Sequence, residues 1–229
     1  MKREMRRKIS LKAWLIVLLL LLNIILIIPP EITSKLPSII GATIATVYVY
    51  GQGIPSTCVF NLTNGWNLIS FACTKENMTV SSLLADINQN YISIHTYEPG
   101  EAIDKWKAYN PNMPYWVVQD LSTIRYDKGY WIKLNQNTSF IIQGNITLPN
   151  RINILQGWNL VGYPLQTQKT PIDAFSTING KYSVVWTYDT AADTYLYYNP
   201  SLGTNTLTQI IPTKGYWINM TSSASWWVT

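Results

Sequence analysis

The sequence has few charged residues, and the way these are distributed argues against a nucleic-acid partner. Charged side chains make up 13% of the 229 residues, about half the usual share. The net charge of +5 comes from the first twelve residues, which hold six of the 17 basic residues and one of the 12 acidic ones. The rest of the chain is balanced at eleven of each sign and offers no basic surface for binding phosphates.

The sequence also lacks the motifs of common catalytic and cofactor sites. It contains no phosphate-binding Gly-rich loop, no His-Glu-x-x-His zinc motif and no Gly-x-Ser-x-Gly elbow. His95 is the only histidine, so a Ser/His/Asp triad has no supporting signal. In the repeat described below His95 aligns with Trp186, which favours a core or half-buried role over catalysis.

Acidic residues cluster in two places, and each cluster has both a structural and a chemical interpretation. The clusters contain Glu98, Glu101 and Asp104 in one stretch and Asp189 and Asp193 in another. Such carboxylates can form a glycosidase pair or a calcium site, but the spacing of a calcium loop is missing. Capping of turns explains the residues more simply. We therefore predict no catalytic residue, no metal and no cofactor.

Long hydrophobic runs are concentrated at the N-terminus, where residues 13–28 contain Asn23 as the only strongly polar residue. A helix of this length spans roughly 24 Å, somewhat less than the ~30 Å hydrocarbon core. Basic residues stay cytoplasmic, so residues 1–12 are predicted to be a cytoplasmic tail and residues 13–30 a single membrane anchor. A cleaved signal peptide is the alternative, and it exports the same residues. Residues 31–57 would form a stalk or an added strand.

Cys58 and Cys73 are the only cysteines. The Asn64-Gly65 pair between them is a strong hairpin signal, and a hairpin there would bring the cysteines close together. In an exported protein this predicts a disulfide bond. Two buried free thiols are the alternative, and a metal pair is disfavoured because one histidine cannot complete a four-ligand site.

Four motifs occur twice in the same order, which indicates an internal duplication. The pairs are Gly65-Trp66-Asn67-Leu68-Ile69 with Gly157-Trp158-Asn159-Leu160-Val161, Thr96-Tyr97-Glu98 with Thr187-Tyr188-Asp189, Trp106-Lys107-Ala108-Tyr109-Asn110-Pro111 with Tyr195-Leu196-Tyr197-Tyr198-Asn199-Pro200, and Lys128-Gly129-Tyr130-Trp131-Ile132 with Lys214-Gly215-Tyr216-Trp217-Ile218. Aromatic and β-branched enrichment predicts strands throughout. We expect two homologous, mainly β modules, sandwich- or barrel-like, at 58–148 and 149–229, with one short helix each, at 80–87 and 171–178.

The motif pair that opens with Gly-Trp-Asn-Leu and closes with Gly-Tyr-Trp-Ile resembles a tandem repeat of secreted and cell-surface proteins of archaea and bacteria. The resemblance covers roughly residues 60–225. It implies an extracellular setting and no particular activity. The first repeat departs from the commoner form at Phe71-Ala72-Cys73, where the second has Tyr163-Pro164.

The tryptophans fall into two groups according to the repeat. Those present in both copies are expected to be core residues, namely Trp66, Trp131, Trp158 and Trp217. Those without a clear partner in the other copy are the candidates for an exposed contact surface, namely Trp116, Trp226 and Trp227. Five Asn-x-Ser/Thr sequons are candidate glycosylation sites, at Asn61, Asn77, Asn137, Asn145 and Asn219.

These observations predict a non-enzymatic exterior protein that is attached to the membrane through residues 13–28. It would act by contacts with other surface proteins, with glycans or with copies of itself, as a surface-layer component, an adhesin or a spike on a virion envelope. A carbohydrate-binding module is the alternative function, and a glycoside hydrolase is the third.

Overall fold

The strands and helices of the two repeats are known from a computed structural model, which describes residues 54–74, 78–114, 116–146 and 150–228. The first repeat contains β1 (Ile54–Leu62), β2 (Gly65–Ser70), β3 (Met78–Thr79), α1 (Val80–Leu83), β4 (Tyr91–Tyr97), β5 (Trp106–Tyr109), β6 (Thr123–Ile124), β7 (Gly129–Leu134) and β8 (Thr138–Ile146). The second contains β9 (Asn150–Ile154), β10 (Gly157–Gly162), α2 (Pro171–Ala174), β11 (Tyr182–Asp189), β12 (Thr194–Tyr198), β13 (Gly215–Met220) and β14 (Ala224–Val228).

Both repeats have the same topology, an antiparallel four-stranded sheet accompanied by a two-stranded ribbon. The sheets have the orders β2-β7-β4-β5 and β10-β13-β11-β12, and the ribbons are β1-β8 and β9-β14. Each repeat has one short helix, which begins after a capping threonine and continues into a 3₁₀ turn at Ala85–Ile87 or Ser176–Ile178. The predicted mainly β fold with one short helix per repeat is confirmed.

The first strand of the described chain begins at Ile54, four residues before the module boundary predicted at 58. The tail at 1–12, the anchor at 13–30 and most of the stalk at 31–57 lie outside the described residues. Within the described part of the chain, no helix is long and apolar enough to cross a bilayer.

The Gly-Trp-Asn motif forms a turn that sends the chain from the ribbon into the sheet. Gly65 has a φ of 92°, a left-handed conformation that favours glycine. The Asn67 side chain closes the turn, since its Oδ1 accepts from the Thr63 N–H at 3.2 Å and its Nδ2 donates to the Thr63 carbonyl at 2.8 Å. Asn159 makes the same two bonds with Leu155 in the second repeat.

The predicted hairpin around Asn64-Gly65 is wrong, because β1 and β2 do not pair with each other. β1 pairs with β8, and β2 pairs with β7. The hydrogen bonds of Asn67 stabilise a turn that takes the chain from the ribbon into the four-stranded sheet. A two-residue hairpin loop would instead have paired β1 with β2.

The Gly-Tyr-Trp-Ile motif supplies one of the two inner strands of each sheet, β7 and β13. Its tyrosine is buried, and the Tyr130 hydroxyl accepts from the Arg125 N–H at 2.8 Å to hold the preceding loop. Tyr216 accepts from the Ile211 N–H at 2.6 Å in the same way. The recurrence of the motif therefore has a structural cause at the tyrosine position.

The glycine of the same motif allows the two repeats to pack against each other. A Cβ at Gly129 would lie 2.9 Å from the Val161 carbonyl oxygen, and one at Gly215 would lie 2.7 Å from that of Ile69. Backbone hydrogen bonds cross between the repeats nearby, including one from the Ser70 N–H to the Thr213 carbonyl at 2.8 Å. The two repeats consequently belong to one compact unit, Gly53–Thr229.

Each repeat has its own hydrophobic core between its sheet and its ribbon. Trp226 lies in the second core with 0% exposure, and its Nε1 donates to the Ala174 carbonyl at 2.7 Å. Its pairing with Ile152 matches the pairing of Phe140 with Phe60 in the first repeat. The prediction that Trp226 belongs to an exposed contact surface is therefore wrong, because Phe140 is its equivalent and both are core residues.

Cys58 and Cys73 form the predicted disulfide bond, with a Cα–Cα distance of 5.8 Å. It joins β1 to the loop after β2 and is buried. Asn150 takes the place of Cys58 in the second repeat, and its Nδ2 donates to the Pro164 carbonyl at 3.2 Å. Each repeat therefore links the first strand of its ribbon to the loop after the first strand of its sheet. The first repeat uses a disulfide bond, and the second uses a hydrogen bond.

Replacing both cysteines with serine should destabilise the protein by about 3 kcal/mol, since the bond closes a short loop. Asn150→Ala should cost only about 1 kcal/mol, the worth of one buried hydrogen bond. Denaturant unfolding of the two variants measures the difference. Equal losses would show that the disulfide adds nothing beyond packing.

Candidate functional site

The outer faces of the two sheets are lined with aromatic side chains. Along β11 the inward residues Val185 and Thr187 are buried, whereas Trp186 and Tyr188 on the opposite side are partly exposed. A register shift between Tyr182 and Val184 turns the ring of Tyr182 into the core. The aromatic residues of this strand therefore mostly cover its outer side.

The four tryptophans shared by the repeats lie on this outer side as well. Trp66 is 40% exposed and Trp158 is 43% exposed, while Trp131 and Trp217 are half-buried. The expectation that they are core residues is wrong. Their strands place Ile69 and Ile132 in the core, with 2% and 0% exposure. The tryptophans Trp66 and Trp131 of the same strands therefore lie on the opposite side of the sheet. We call this surface the aromatic face.

The aromatic face contains two basins. The first basin has a volume of about 520 Å³ and is lined by Trp66, His95, Trp106, Trp131, Tyr188, Asp193 and Tyr195. The second basin has a volume of about 430 Å³ and is lined by Tyr97, Trp158, Trp186, Tyr195 and Trp217. Tyr195 lines both, so the basins adjoin each other.

The two basins are related by the sequence repeat, and each takes rings from both copies. In the first basin the Trp66 and Trp131 rings meet edge-on at 6.2 Å, and Tyr188 of the other repeat lies 5.2–5.3 Å from Tyr195 and Trp131. In the second, Trp158 and Trp217 meet edge-on at 6.2 Å. The basins therefore form only when the two repeats pack together.

In the second basin, the tyrosine of the Thr-Tyr motif likewise contacts a ring of the other repeat. Tyr97 belongs to the first repeat, and its ring centroid lies 5.2 Å from that of Trp217 in the second. The neighbouring threonine is buried and anchors the strand, since the Thr96 hydroxyl donates to the Gly129 carbonyl at 2.7 Å. Thr187 donates to Gly215 at 2.8 Å in the same way. In the recurrent Thr-Tyr dipeptide, the threonine therefore anchors the strand by a hydrogen bond. The tyrosine places its ring in the basin that consists mainly of residues from the other repeat.

Exposed aromatic rings are suited to binding flat apolar surfaces that carry polar edges. Trp and Tyr rings stack on the C–H faces of sugar rings, and large exposed apolar patches mark binding sites. Aromatic rings also attract cations placed over their faces. The rings of this face are therefore suited to contacts with a ligand.

His95 occupies the position in the first basin that Trp186 occupies in the second. Its Nε2 lies 2.9 Å from the Ser93 hydroxyl, and its ring lies 5.5 Å from that of Trp66. Partial burial lowers the pKa of His95, opposed by the negative charge of Asp120. The half-buried position agrees with the structural role predicted from the repeat.

Because the pKa of His95 is lowered, its ring should be neutral at pH 7 and become charged only below pH 6.5. The folded protein should then lose stability as the pH falls from 6.5 through the folded-state pKa, because the unfolded chain binds the proton more readily. An NMR titration of the ring protons measures this pKa. A value at or above 6.5 would contradict the expected effect of burial.

The acidic residues singled out from the sequence are held in local contacts. Glu98 binds the Lys128 ammonium at 2.6 Å, and Asp104 lies 3.3 Å from that of Lys107. Asp189 caps its turn by accepting from the Ala191 N–H. Within the described ranges, no group of three His, Cys, Asp or Glu side chains is arranged to hold a metal ion.

The other proposed contact residues lie away from both basins. Trp116 is 70% exposed in the loop after β5, and Trp227 is 43% exposed on β14, where the Arg151 guanidinium lies 5.6 Å from its ring centroid. Neither lines a basin. Four tryptophans that do line them are predicted from the sequence to be core residues, because recurrence in both repeats indicates packing. The alternation of β11 offered a signal, since small residues occupied the opposite face.

The described sequons lie on strands and in turns. Asn61, Asn137 and Asn145 are exposed on or beside the β1-β8 ribbon, and Asn77 lies outside the described residues. Asn219 is partly exposed on β13, where it pairs across the sheet with Trp158. A glycan attached to Asn219 would therefore lie beside the second basin.

Comparison of the chain with protein-family models, with curated proteins and with solved structures finds no match.

Proposed function

We propose that this protein is a membrane-anchored exterior protein that binds glycans through its aromatic face and performs no catalysis. The observation that carries the proposal is the pair of adjoining basins, whose rings come from strand positions that recur in both repeats. A stable fold has no need to expose two tryptophans by 40% or more at equivalent sites, whereas a stacking surface requires exposed rings.

Binding fits the site better than hydrolysis. Glycoside hydrolases use two carboxyl groups that flank the bond to be cleaved. Asp193 is the only carboxylate among the described residues that line the two basins. Glu98 and Asp104, the other acids considered, form ion pairs with lysines.

A protein partner is the second candidate, because aromatic residues are also enriched at protein interfaces. The glycan proposal is preferred because the basins are shallow and open and are lined mostly by the edges and faces of Trp and Tyr. The low charge outside residues 1–12 fits a neutral ligand such as a polysaccharide.

A glycan array probed with the full-length chain tests the proposal. The chain should come from a host without N-glycosylation, so that Asn219 carries no sugar beside the second basin. A polyoxyethylene detergent is needed, because the headgroups of glycoside and choline detergents resemble test ligands. We expect binding to a restricted set of glycans and competition by the free sugars. Binding to no glycan, together with tight capture of a surface protein through the same face, would overturn the proposal.

The predicted anchor has a separate test. If residues 13–28 are retained as a membrane segment, the mature chain should stay with membranes through washes with high salt and with carbonate. An intact-mass measurement showing a mature chain that begins near Lys35 would instead establish cleavage.

A further inference from the structure

The two basins match in their rings but differ in charge. Asp193 lines the first basin, whereas no charged residue is among the described residues that line the second. The equivalent of Asp193 in the first repeat is Asp104, since they lie two residues before the equivalent aromatic residues Tyr195 and Trp106. Asp104 does not line a basin and instead lies beside the Lys107 ammonium.

The Asp193 carboxylate is fixed at the edge of the first basin. Its backbone has a φ of 50°, a left-handed conformation that aspartate tolerates better than most residues. The Tyr188 hydroxyl, which belongs to a ring of the same basin, donates to its Oδ1. The second carboxylate oxygen has no hydrogen-bond partner within the described chain, so it is available to a ligand.

One ring of the first basin already contacts an ammonium group of the chain. Lys133 Nζ lies 5.6 Å from the Trp66 ring centroid, within the range of a cation–π contact. His95 adds no positive charge at neutral pH, because burial lowers its pKa. Among the described residues that line the first basin, Asp193 therefore carries the only full charge, and the Lys133 ammonium stands beside them over the Trp66 ring.

We propose that the first basin binds a cationic ligand group, a quaternary or methylated ammonium, with the rings packed around it and the Asp193 carboxylate providing the counter-charge. The inference goes beyond glycan binding, since it specifies the charge of the group that the first basin accepts. Moving an alkylated ammonium from water to a site between aromatic rings costs less hydration free energy than moving a bare ammonium, because the alkyl groups bind little water. The positive charge is spread over these groups and still attracts the ring faces.

Calorimetric titration of the full-length chain with choline and with its neutral isostere 3,3-dimethylbutan-1-ol tests the charge requirement. The two probes have the same shape, so a difference between them reports the charge. Choline should bind at least about tenfold more tightly than the alcohol, as expected for a cation–π site with a carboxylate. Equal affinity for the two probes, or no choline binding at all, would overturn the inference.

Variants at equivalent positions identify the basin. Asp193→Asn should weaken choline binding about tenfold without changing the melting temperature, whereas Asp104→Asn should leave it unchanged. Trp66→Ala should abolish choline binding, and Trp158→Ala should not. Equal losses from the two aspartate variants would show a general effect of surface charge and contradict the inference. Glycan binding that persists in a chain without choline affinity would refute this inference alone and leave the proposed function standing.

Discussion

Trp226→Ala should lower the free energy of unfolding by about 3–5 kcal/mol, the cost of removing a large aromatic side chain from a packed core. The Trp226 ring packs at 4.9 Å from Phe175 and 6.4 Å from Tyr163. Its Nε1 also donates a hydrogen bond to the carbonyl of Ala174, the last residue of α2. The substitution would thus remove contacts between β14, the sheet and the helix together.

Trp227→Ala provides the matched control, because the two residues are adjacent and only Trp226 is buried. Trp227 faces outward against Arg151, and its loss should change the stability by less than about 1 kcal/mol. Denaturant unfolding of both variants measures the contrast. Equal destabilisation by the two substitutions would contradict the assignment of Trp226 to the core and of Trp227 to the surface.

The double variant Trp66→Ala/Trp158→Ala should lose glycan binding by about a hundredfold or more while its melting temperature changes little. Both rings are exposed by 40% or more, so little packing is lost when they are removed. Central aromatic residues of a binding surface often cost 2 kcal/mol or more each when truncated. Two such losses correspond to a factor of several hundred in affinity.

Ile141→Ala/Trp227→Ala is the control for this double variant. These residues also occupy equivalent positions in the two repeats, on the outer side of the ribbons, and are 56% and 43% exposed. Removing them should leave glycan binding intact. Normal glycan binding by the Trp66/Trp158 variant would show that the rings are not the binding surface and would contradict the proposed function. Unfolding of the variant would show that the rings serve the fold and would contradict it as well.

The duplication allowed the mainly β fold and the helices to be predicted, because the repeated motifs mark turns and strand starts. Gly65, Asn67 and Tyr130 recur for local reasons that a sequence can reveal, namely a left-handed turn, a side-chain cap and a buried hydroxyl. Strand partners could not be predicted in this way. The Asn64-Gly65 pair looks like a hairpin turn, and only the three-dimensional course of the chain shows that β1 and β2 enter different sheets.

The candidate site was missed because recurrence alone does not distinguish a packing residue from a binding residue. Trp131 and Tyr130 are adjacent, recur together and point to opposite sides of β7, one to the aromatic face and one to the core. Trp226 was misassigned for the opposite reason. Its equivalent in the first repeat is Phe140. Because the two residues are not identical, a comparison of the two copies for repeated motifs does not reveal their equivalence.

The most direct test of the aromatic face is to follow the indole N–H signals of the ten tryptophans by NMR in the nitrogen-15-labelled full-length chain. The sample is titrated with the glycan that binds best on the array. The signals of Trp66, Trp131, Trp158 and Trp217 should shift in proportion to occupancy, while that of the buried Trp226 stays in place. Shifts confined to Trp116 and Trp227, or no shift of any indole at saturating glycan, would contradict the assignment of glycan binding to this face.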